Sequence, residues 1–358
     1  MKKILMTGGG SAGHVTPNVA LFPELRAHGF EIHYAGLADG IEHGLIAAEE
    51  GVVYHEIESG KLRRYLSLKN LASPFKVIKG ISQAKKLIAE LKPDVVFSKG
   101  GFVSVPVVMA AKGKCPVVCH ESDYTPGLAN KIAARYADTV CVTFEDTIGL
   151  SKPGIAKKMV HTGTPIRPEL YKGDRRKGLA EMGFSGKKPV LMVMGGSLGA
   201  AAVNEGVRAA LPELTKRFDV VHLCGKGKVD ESAACEGYRQ FEYVGQELPD
   251  MMAATDVVIS RAGANAVFEF IALGIPALLV PLPLEASRGD QILNADYVTK
   301  KGYAQKLDQA DITPERLVRE VDELYGRRES MAKLMLADPL VDGTKEVLDE
   351  IFKAAGMK

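Results

Sequence analysis

The sequence predicts an α/β protein with two Rossmann-like domains, whose parallel sheets face each other across a cleft. Two observations lead to this prediction. Short runs of β-branched residues alternate with longer helical patterns along the chain, which is typical of βαβ units and parallel sheets. The strand, glycine turn and helix of "MKKILMTGGGSAGHVTPN" at 1–18 return as "KKPVLMVMGGSLGAAAVN" at 187–204. A plan that occurs twice indicates two similar domains.

Strand candidates occur in both halves of the chain. In the first half they are 3–6, 31–35, 94–98, 116–119 and 138–143. In the second half they are 189–194, 219–224, 256–260 and 276–280. Around 160–175 the segment "HTGTPIRPELYKGDRRKG" combines prolines, glycines and basic residues, which is typical of a linker. We therefore expect an N-terminal domain over 1–162 and a C-terminal domain over 163–340.

Composition and charge exclude several classes of protein. The chain has 358 residues, enough for two domains with their own cores, and a net charge of only +2. This balance argues against a dedicated nucleic-acid-binding protein. The five cysteines form no C-x-x-C pair and no zinc-ligand spacing, which favours reduced thiols. No apolar run approaches the roughly 20 residues of a membrane helix, so we expect a soluble or peripheral protein.

The first glycine turn fits the dinucleotide fingerprint G-x-G-x-x-G through Gly8, Gly10 and Gly13. A nicotinamide site also needs a carboxylate near the end of the second strand, but that strand ends in Ala35-Gly36-Leu37. Neither glycine turn continues into Lys-Ser/Thr, so a P-loop is excluded as well. What remains is a pair of helix N-termini whose backbone N–H groups attract phosphate or another anion.

A third glycine turn lies in "SRAGANAVFE" at 260–269. A helix that begins near Ala264 would direct its positive end toward a ligand, and Glu269, one turn later, could accept hydrogen bonds from ribose hydroxyls. A solvent-exposed helix glutamate is the alternative. Downstream, Asp290, Gln291 and Asn294 offer carboxylate and amide groups of the kind that bind sugar hydroxyls.

Six motifs occur in a fixed order: "GGGSAGH", "HESDYTPGLANK", "GTPIRPEL", "GGSLGA", "SRAGANAVFE" and "GDQILNA". In this combination the chain closely resembles, over nearly its whole length, a family of bacterial glycosyltransferases. The resemblance implies the GT-B architecture, with a C-terminal helix at about 341–358 returning to the N-terminal domain. It implies inverting transfer of N-acetylglucosamine from UDP-N-acetylglucosamine to the 4-hydroxyl of undecaprenyl-diphospho-muramoylpentapeptide, without a cofactor or metal. In agreement, the sequence contains no D-x-D metal motif.

The resemblance also implies the substrate-binding positions. These are Ser11, Ala12 and Gly13 in the first loop, Arg167 in the linker, Ser197 at the nucleotide phosphates, Val244 or Gly245 beside the uracil, Ala264, Asn265 and Glu269 at the diphosphate and ribose, and Asp290 and Gln291 at the N-acetylglucosamine. Two positions depart from many relatives. Asp123 replaces an asparagine and cannot donate a hydrogen bond when ionised. Phe102 replaces a tyrosine, so a hydroxyl there is not essential in this chain.

Inversion requires a base that removes the proton from the acceptor hydroxyl. His14 is the first candidate because it opens a helix near the expected cleft and its ordinary pKa is near 6.5. Glu121 and Asp123 are alternatives, and His14 could instead cap the helix or bind the acceptor diphosphate. Backbone N–H groups around Ser197 and Ala264 would stabilise the departing diphosphate.

Other functions stay open at this stage. The same architecture serves UDP-N-acetylglucosamine 2-epimerases and diacylglycerol glycosyltransferases. A nicotinamide oxidoreductase and a non-catalytic UDP-sugar-binding regulator are further alternatives, which a test for nicotinamide binding and a turnover assay would exclude.

A basic segment indicates where a lipid-linked substrate is met. From Lys61 to Lys86 the chain carries eight basic residues and no acidic one. We predict a helix from Ser73-Pro74 whose buried stripe is Val77, Ile81, Ala84 and Ile88. This leaves Tyr65, Leu66, Leu68, Leu71 and Phe75 without an obvious place in the core. Such a patch suits the anionic cytoplasmic leaflet of the cell membrane, and a solvated basic face is the alternative.

Overall fold

A computed structural model of the chain describes residues 1–47, 49–60, 69–196 and 199–357, with the backbone alone at 69–74. The chain divides into two compact units. The N-unit comprises Met1–Arg167 and Asp342–Lys358, and the C-unit comprises Pro168–Val341. Each unit is described separately below.

The N-unit is a doubly wound parallel sheet with helices between its strands. Its elements up to the linker are β1 (Lys2–Thr7), α1 (Thr16–Ala27), β2 (Phe30–Gly36), α2 (Ile41–Ile46), β3 (Val52–Glu56), α3 (Lys69–Leu91), β4 (Val95–Ser98), α4 (Val105–Ala111), β5 (Val117–Glu121), α5 (Leu128–Tyr136), β6 (Thr139–Val142), α6 (Asp146–Gly149), α7 (Pro153–Ala156) and β7 (Met159–His161). The described strands follow the order β3-β2-β1-β4-β5-β6-β7, and Ile4 of β1 lies opposite Ile32 and Val95. Because helices cover both faces, the inner strands are largely buried and rich in apolar residues, such as Ile4–Met6 of β1 and Val95–Phe97 of β4.

The C-unit repeats this plan with fewer strands. Its elements are α8 (Arg175–Met182), β8 (Val190–Met194), α9 (Ala201–Arg217), β9 (Asp219–Leu223), β10 (Tyr238–Phe241), α10 (Leu248–Ala254), β11 (Val257–Ser260), α11 (Ala264–Ala272), β12 (Ala277–Leu279), α12 (Asp290–Lys300), β13 (Ala304–Lys306) and α13 (Pro314–Leu336). The described strands follow the order β10-β9-β8-β11-β12-β13, again all parallel. The predicted α/β class with two parallel sheets is confirmed.

Every strand candidate from the sequence forms a strand, but the sequence analysis missed four of the strands in the described ranges. These are β3, β7, β10 and β13, and they are the outermost strands of the two sheets. An outermost strand has a neighbour on one side only, so its residues are partly exposed and need no continuous apolar run. In β3, for example, Val53 is 47% exposed.

Helix α3 begins at Lys69, earlier than the Ser73 start that the sequence suggested. Of the predicted stripe, Ala84 and Ile88 are buried, whereas Val77 and Ile81 are half-buried. Two large apolar side chains on this helix, Phe75 and Ile78, are exposed. The rest of the predicted membrane patch, from Lys61 to Leu68, lies outside the described residues. Within the described ranges, the helices all lack the length or the apolar composition that crossing a bilayer requires.

The last helix of the chain, α14 (Thr344–Ala354), belongs to the core of the N-unit. Its residues Val347, Leu348 and Ile351 are buried in the cluster formed by α1 and the first strands. The chain enters this helix through a close backbone contact, in which the Gly343 N–H donates to the Thr164 carbonyl (2.9 Å). A Cβ atom on Gly343 would lie 2.2 Å from the Thr162 carbonyl oxygen, so this entry requires glycine.

We expect Ile351→Ala to lower the free energy of unfolding by about 2–4 kcal/mol, because it leaves a cavity beneath the sheet of the N-unit. Urea denaturation measures the change. The matched control is Lys353→Ala on the same helix, whose side chain is 77% exposed, and which should change stability by less than about 0.5 kcal/mol. Equal effects of the two substitutions would show that α14 does not contribute to the core.

Candidate active site

Each sheet has a topological switch point, the place where strand order reverses and where ligands of doubly wound folds bind. In the N-unit it lies between β1 and β4, and in the C-unit between β8 and β11. The loops at these two points contain the glycine-rich motifs of the sequence. The β1 turn (8–13) and the β4 turn (99–102) flank the first point, and the turns that follow β8 and β11 flank the second.

In the N-unit the β1 turn packs directly against the β4 turn. The Gly9 N–H donates to the Gly100 carbonyl (3.4 Å). A Cβ atom on Gly101 would lie 2.2 Å from the Gly9 oxygen and 2.9 Å from Cδ2 of His14. A Cβ atom on Gly10 would lie 2.4 Å from the Phe102 ring. The glycines are therefore needed for contact between two loops, and the imidazole of His14 lies against this contact.

A carboxylate does lie near the end of β2, although sequence reasoning missed it. Glu42 of α2 is fully buried, and its two oxygens accept from the N–H groups of Gly10 (3.1 Å) and Leu37 (3.1 Å). It cannot bind ribose hydroxyls in this position, because it has no exposed surface. The Gly10 N–H, which the sequence analysis assigned to a phosphate or another anion, thus donates to a side chain of the protein itself. The glycines at 36 and 40, both in contact with this side chain, were the available signal.

The repeated motif ends in an asparagine in both units, and both asparagines tie a helix to the neighbouring strand. In the N-unit Asn18 is buried and donates to the Tyr34 hydroxyl (3.0 Å), which donates to the Gly8 carbonyl (2.7 Å). In the C-unit Asn204 donates to the Cys224 carbonyl (2.9 Å). The asparagine at the end of each copy of the repeat therefore has the same structural role in both units.

The loop after β5 is organised by Glu121. Its buried carboxylate accepts from the Asp123 N–H (2.9 Å), the Asn130 side-chain amide (2.8 Å) and the Gly127 N–H (3.3 Å). Burial, and next the charge of Asp123, raise the pKa of Glu121 to about 7. Asn130 also lies against the β4 turn, since a Cβ atom on Gly100 would meet its side-chain oxygen at 2.2 Å. The β4 turn therefore lies between the loop of His14 and the loop of Glu121 and Asp123.

Lys99, which sequence reasoning also missed, lies beneath these loops. Its side chain is 1% exposed. The ammonium donates to Nδ1 of His120 (2.9 Å) and to the hydroxyl of Ser122. On the other side of the ring, Nε2 of His120 donates to the Gly163 carbonyl (2.9 Å). Both ring nitrogens of His120 are therefore engaged within the interior.

In the C-unit, α11 begins at Ala264, as predicted, and places Glu269 in its second turn. Ala264 is buried, and Asn265 and Glu269 are half-buried. The turn before this helix is held rigidly, because the Asn294 side chain donates to the Ala262 carbonyl (3.1 Å). Asn294 is fully buried, so its amide supports the turn.

Asp290 and Gln291 are the first residues of α12, directly after Gly289, whose φ is +80°. Asp290 pairs with Arg288 at 3.6 Å. The side-chain oxygen of Gln291 accepts from the Leu282 N–H (3.0 Å). Its side-chain NH₂ group has no hydrogen-bond partner in the part of the chain that the structure describes, which leaves two donors for a ligand.

The remaining predicted residues lie in different environments. Ser11 is exposed, and Ala12 and Gly13 are half-buried in a short 3₁₀ turn (Ala12–His14). Arg167 is half-buried at the end of the first N-unit segment. Val244 is buried, and the Gly245 N–H donates to Glu247 (3.2 Å). Ser197 lies outside the described residues.

We expect Glu42→Ala to lower the free energy of unfolding by about 2 kcal/mol or more, because two N–H groups lose their acceptor. The matched control is Glu56→Ala at the exposed end of β3, which should have an effect below about 0.5 kcal/mol. Urea denaturation at neutral pH compares the two. Equal stability of Glu42→Ala and the wild type would contradict the role of this carboxylate.

Comparison with known proteins identifies the family. Residues 4–142 match the glycosyltransferase family 28 N-terminal domain, and residues 190–347 match the glycosyltransferase family 28 C-terminal domain. The chain is 56% identical over 331 residues to a Bacillus cereus protein, covering 92% of this chain and 93% of the relative. That relative is named UDP-N-acetylglucosamine–N-acetylmuramyl-(pentapeptide) pyrophosphoryl-undecaprenol N-acetylglucosamine transferase 2. A transferase named in the same way from Clostridium perfringens is 51% identical over 357 residues, covering 99% of both chains.

Solved structures agree with this assignment. The crystal structure of Acinetobacter baumannii MurG aligns with a TM-score of 0.77 at 27% identity, covering 99% of this chain and 100% of that chain. A putative UDP-N-acetylglucosamine 2-epimerase from Listeria monocytogenes aligns with a TM-score of 0.69, covering 99% of this chain and 96% of that chain. Its identity of 14% shows a shared fold alone. Since both domain models match and relatives are more than 50% identical over nearly the full length, the chain belongs to glycosyltransferase family 28.

Proposed function

We propose that this protein transfers N-acetylglucosamine from UDP-N-acetylglucosamine to the 4-hydroxyl of undecaprenyl-diphospho-muramoylpentapeptide, with inversion at the anomeric carbon. The observation that carries the proposal is the near-full-length identity to transferases that are named for these substrates. The direct test is an assay with UDP-N-acetylglucosamine and a short-chain lipid acceptor. Transfer of labelled sugar to the acceptor, with release of UDP, is the expected result.

The C-unit carries the residues that we assign to the donor. The first turn of α11 offers backbone N–H groups for the diphosphate, and Glu269 on the same helix would accept from the ribose hydroxyls. The side-chain NH₂ group of Gln291, which has no partner among the described residues, would bind the N-acetylglucosamine beside Asp290. These groups are set on helices whose N-terminal turns are fixed by internal hydrogen bonds, and a preorganised site stabilises developing charge without reorganising.

The N-unit carries the residues that we assign to the acceptor and to proton removal. His14 is the proposed base, and Ser11 to Gly13 would contact the acceptor. Glu121 has a pKa suited to base catalysis, but its carboxylate already accepts three N–H groups. Moving a proton there would disrupt the loop that it organises. We therefore rank Asp123, which is half-buried, above Glu121 as the alternative base.

An epimerase is the runner-up function, because a protein titled as a putative UDP-N-acetylglucosamine 2-epimerase shares the fold. The same assay separates the two functions. An epimerase would change the configuration of the sugar in UDP-N-acetylglucosamine. It would need no acceptor, and no UDP would be released through sugar transfer. If the sugar nucleotide is epimerised and no sugar reaches the lipid acceptor, the protein is an epimerase and our proposal is wrong.

If Glu269 binds the ribose, Glu269→Ala should weaken UDP binding at least about tenfold, because charge-assisted hydrogen bonds contribute roughly 1.5–3 kcal/mol each. Calorimetry with UDP measures the loss. Glu213→Ala, on an exposed face of the same unit (61% exposed), should bind UDP like the wild type. Unchanged affinity in Glu269→Ala would remove this residue from the donor site.

If His14 is the base, His14→Ala should reduce kcat by roughly 10² to 10⁴ with little change in UDP affinity. His28→Ala serves as the control, since His28 is an exposed histidine at the end of α1. A change confined to the acceptor KM would assign His14 to acceptor binding. In that case kcat for Asp123→Ala and Glu121→Ala would decide which carboxylate is the base.

We further propose that the N-unit meets the cytoplasmic leaflet through the first turns of α3. Phe75 and Ile78 are 75% and 64% exposed, and lysines at 76, 79, 85 and 86 follow on the same helix. Exposed apolar side chains among lysines suit an anionic lipid surface, although Lys79 pairs with Glu58 and Lys86 pairs with Glu90 (3.8 Å).

The double variant Phe75→Ser/Ile78→Ser should therefore sediment less with vesicles of anionic lipid, while transfer to a water-soluble acceptor analogue survives. The matched control is Leu334→Ser/Leu336→Ser on α13, where the side chains are 48% and 62% exposed. Vesicle binding that persists in the first variant would place the membrane surface elsewhere.

A further inference from the structure

The buried ammonium of Lys99 has no direct ion pair within the described part of the chain, since its partners are the neutral groups of His120 and Ser122. A buried charge without an opposite charge costs several kcal/mol. Lys99 directly follows β4, where an apolar residue would pack without this cost. Stability alone therefore does not explain why a charged lysine occupies position 99.

His120 does not share this charge. Its Nε2 donates to a carbonyl, so Nδ1 carries the lone pair that accepts from the ammonium. Burial, and next the charge of Lys99, keep the pKa of His120 well below its usual range, so the ring is neutral. The charges that face Lys99 are those of Glu121 and Asp123, and the thiol of Cys141, whose pKa burial raises to about 12, is neutral.

The second partner of Lys99 lies between the two carboxylates in the sequence. Ser122 accepts from the ammonium, and the Asp123 N–H donates to the carboxylate of Glu121 (2.9 Å). One cation thus contacts the short segment that holds two acids. Neighbouring carboxylates disfavour each other's ionisation, and a nearby cation favours it.

We propose that Lys99 is a positioning residue of the transfer reaction, whose ammonium holds Ser122 and places a positive charge beneath the segment that carries Glu121 and Asp123. This inference rests on the proposed function. It assigns to Lys99 no contact with either substrate. The segment that Lys99 holds would present Asp123 to the acceptor, either as the base or as a hydrogen-bond acceptor for the sugar.

The titration of the cluster agrees with this role. Burial lowers the pKa of Lys99, and the charges of Glu121 and Asp123 oppose this shift and favour the charged ammonium. Burial raises the pKa of Glu121 to about 7, and the charge of Lys99 acts in the opposite direction. Removing the cation should therefore raise the pKa of the Glu121 carboxyl, whose ionisation then requires a higher pH.

Lys99→Met tests the proposal, because methionine is of similar length, apolar and uncharged. We expect the acidic limb of the pH profile of kcat/KM to move up by about one pH unit or more. The loss of activity should be large at pH 6 and small above pH 8, with UDP affinity unchanged. Lys114→Met replaces an exposed lysine in the loop before β5 and should keep the wild-type profile. A profile that does not move, or a loss by the same factor at every pH, overturns the proposal.

A measurement independent of activity separates this inference from the proposed function. In protein labelled with ¹³C at the glutamate carboxyls, the Glu121 signal is assigned by its absence in Glu121→Gln. Its titration should move to higher pH in Lys99→Met, whether or not the protein transfers N-acetylglucosamine. An unchanged titration overturns the electrostatic role of Lys99.

Ser122→Ala tests the same idea if Lys99→Met does not fold, because it keeps the ammonium and removes one acceptor. We expect a lower kcat with the acidic limb close to that of the wild type, since the charge is still present. A shift of that limb by one pH unit or more would assign the effect to loop geometry and overturn the role of the charge.

Discussion

The contact between the β1 turn and the β4 turn is the constraint on which the rest of the N-unit site depends. Gly9 and Gly10 approach Gly101 and Phe102 so closely that a single added Cβ atom would overlap a backbone oxygen or a ring. This contact places the imidazole of His14 against the β4 turn. Because Asn130 lies against the other side of that turn, the same contact sets the position of the loop held by Glu121.

Buried charges of the chain itself fix the geometry of these loops. Glu42 accepts the N–H of Gly10 at the place where dinucleotide-binding folds direct backbone groups toward a ligand. Lys99 is buried beneath the loop that carries Asp123. In both cases a side chain in a water-excluded position interacts with loop groups more strongly than it would at the surface.

The two units attach the helix after their first strand to the sheet in the same way. Each has a glycine turn after its first strand, and each fixes the following helix through a buried asparagine, Asn18 or Asn204. The partners differ, since Asn18 donates to a tyrosine hydroxyl and Asn204 to a backbone carbonyl. A shared plan with different partners leaves the loops free to differ in function, as the presence of His14 in one motif and Ala200 in the other illustrates.

The sequence by itself determined the fold class, the inner strands and the three glycine turns, because strands buried on both faces are rich in apolar residues. Its motifs also identified the family. It could not find β3, β7, β10 and β13, whose one-sided pairing leaves no strong pattern. Only the tertiary structure revealed the roles of Glu42 and Lys99. A charged residue in a sequence is by default a surface residue, and the chain segments that bury these two are distant in sequence. Their burial follows from how the loops of separate strands pack together, which no local pattern records.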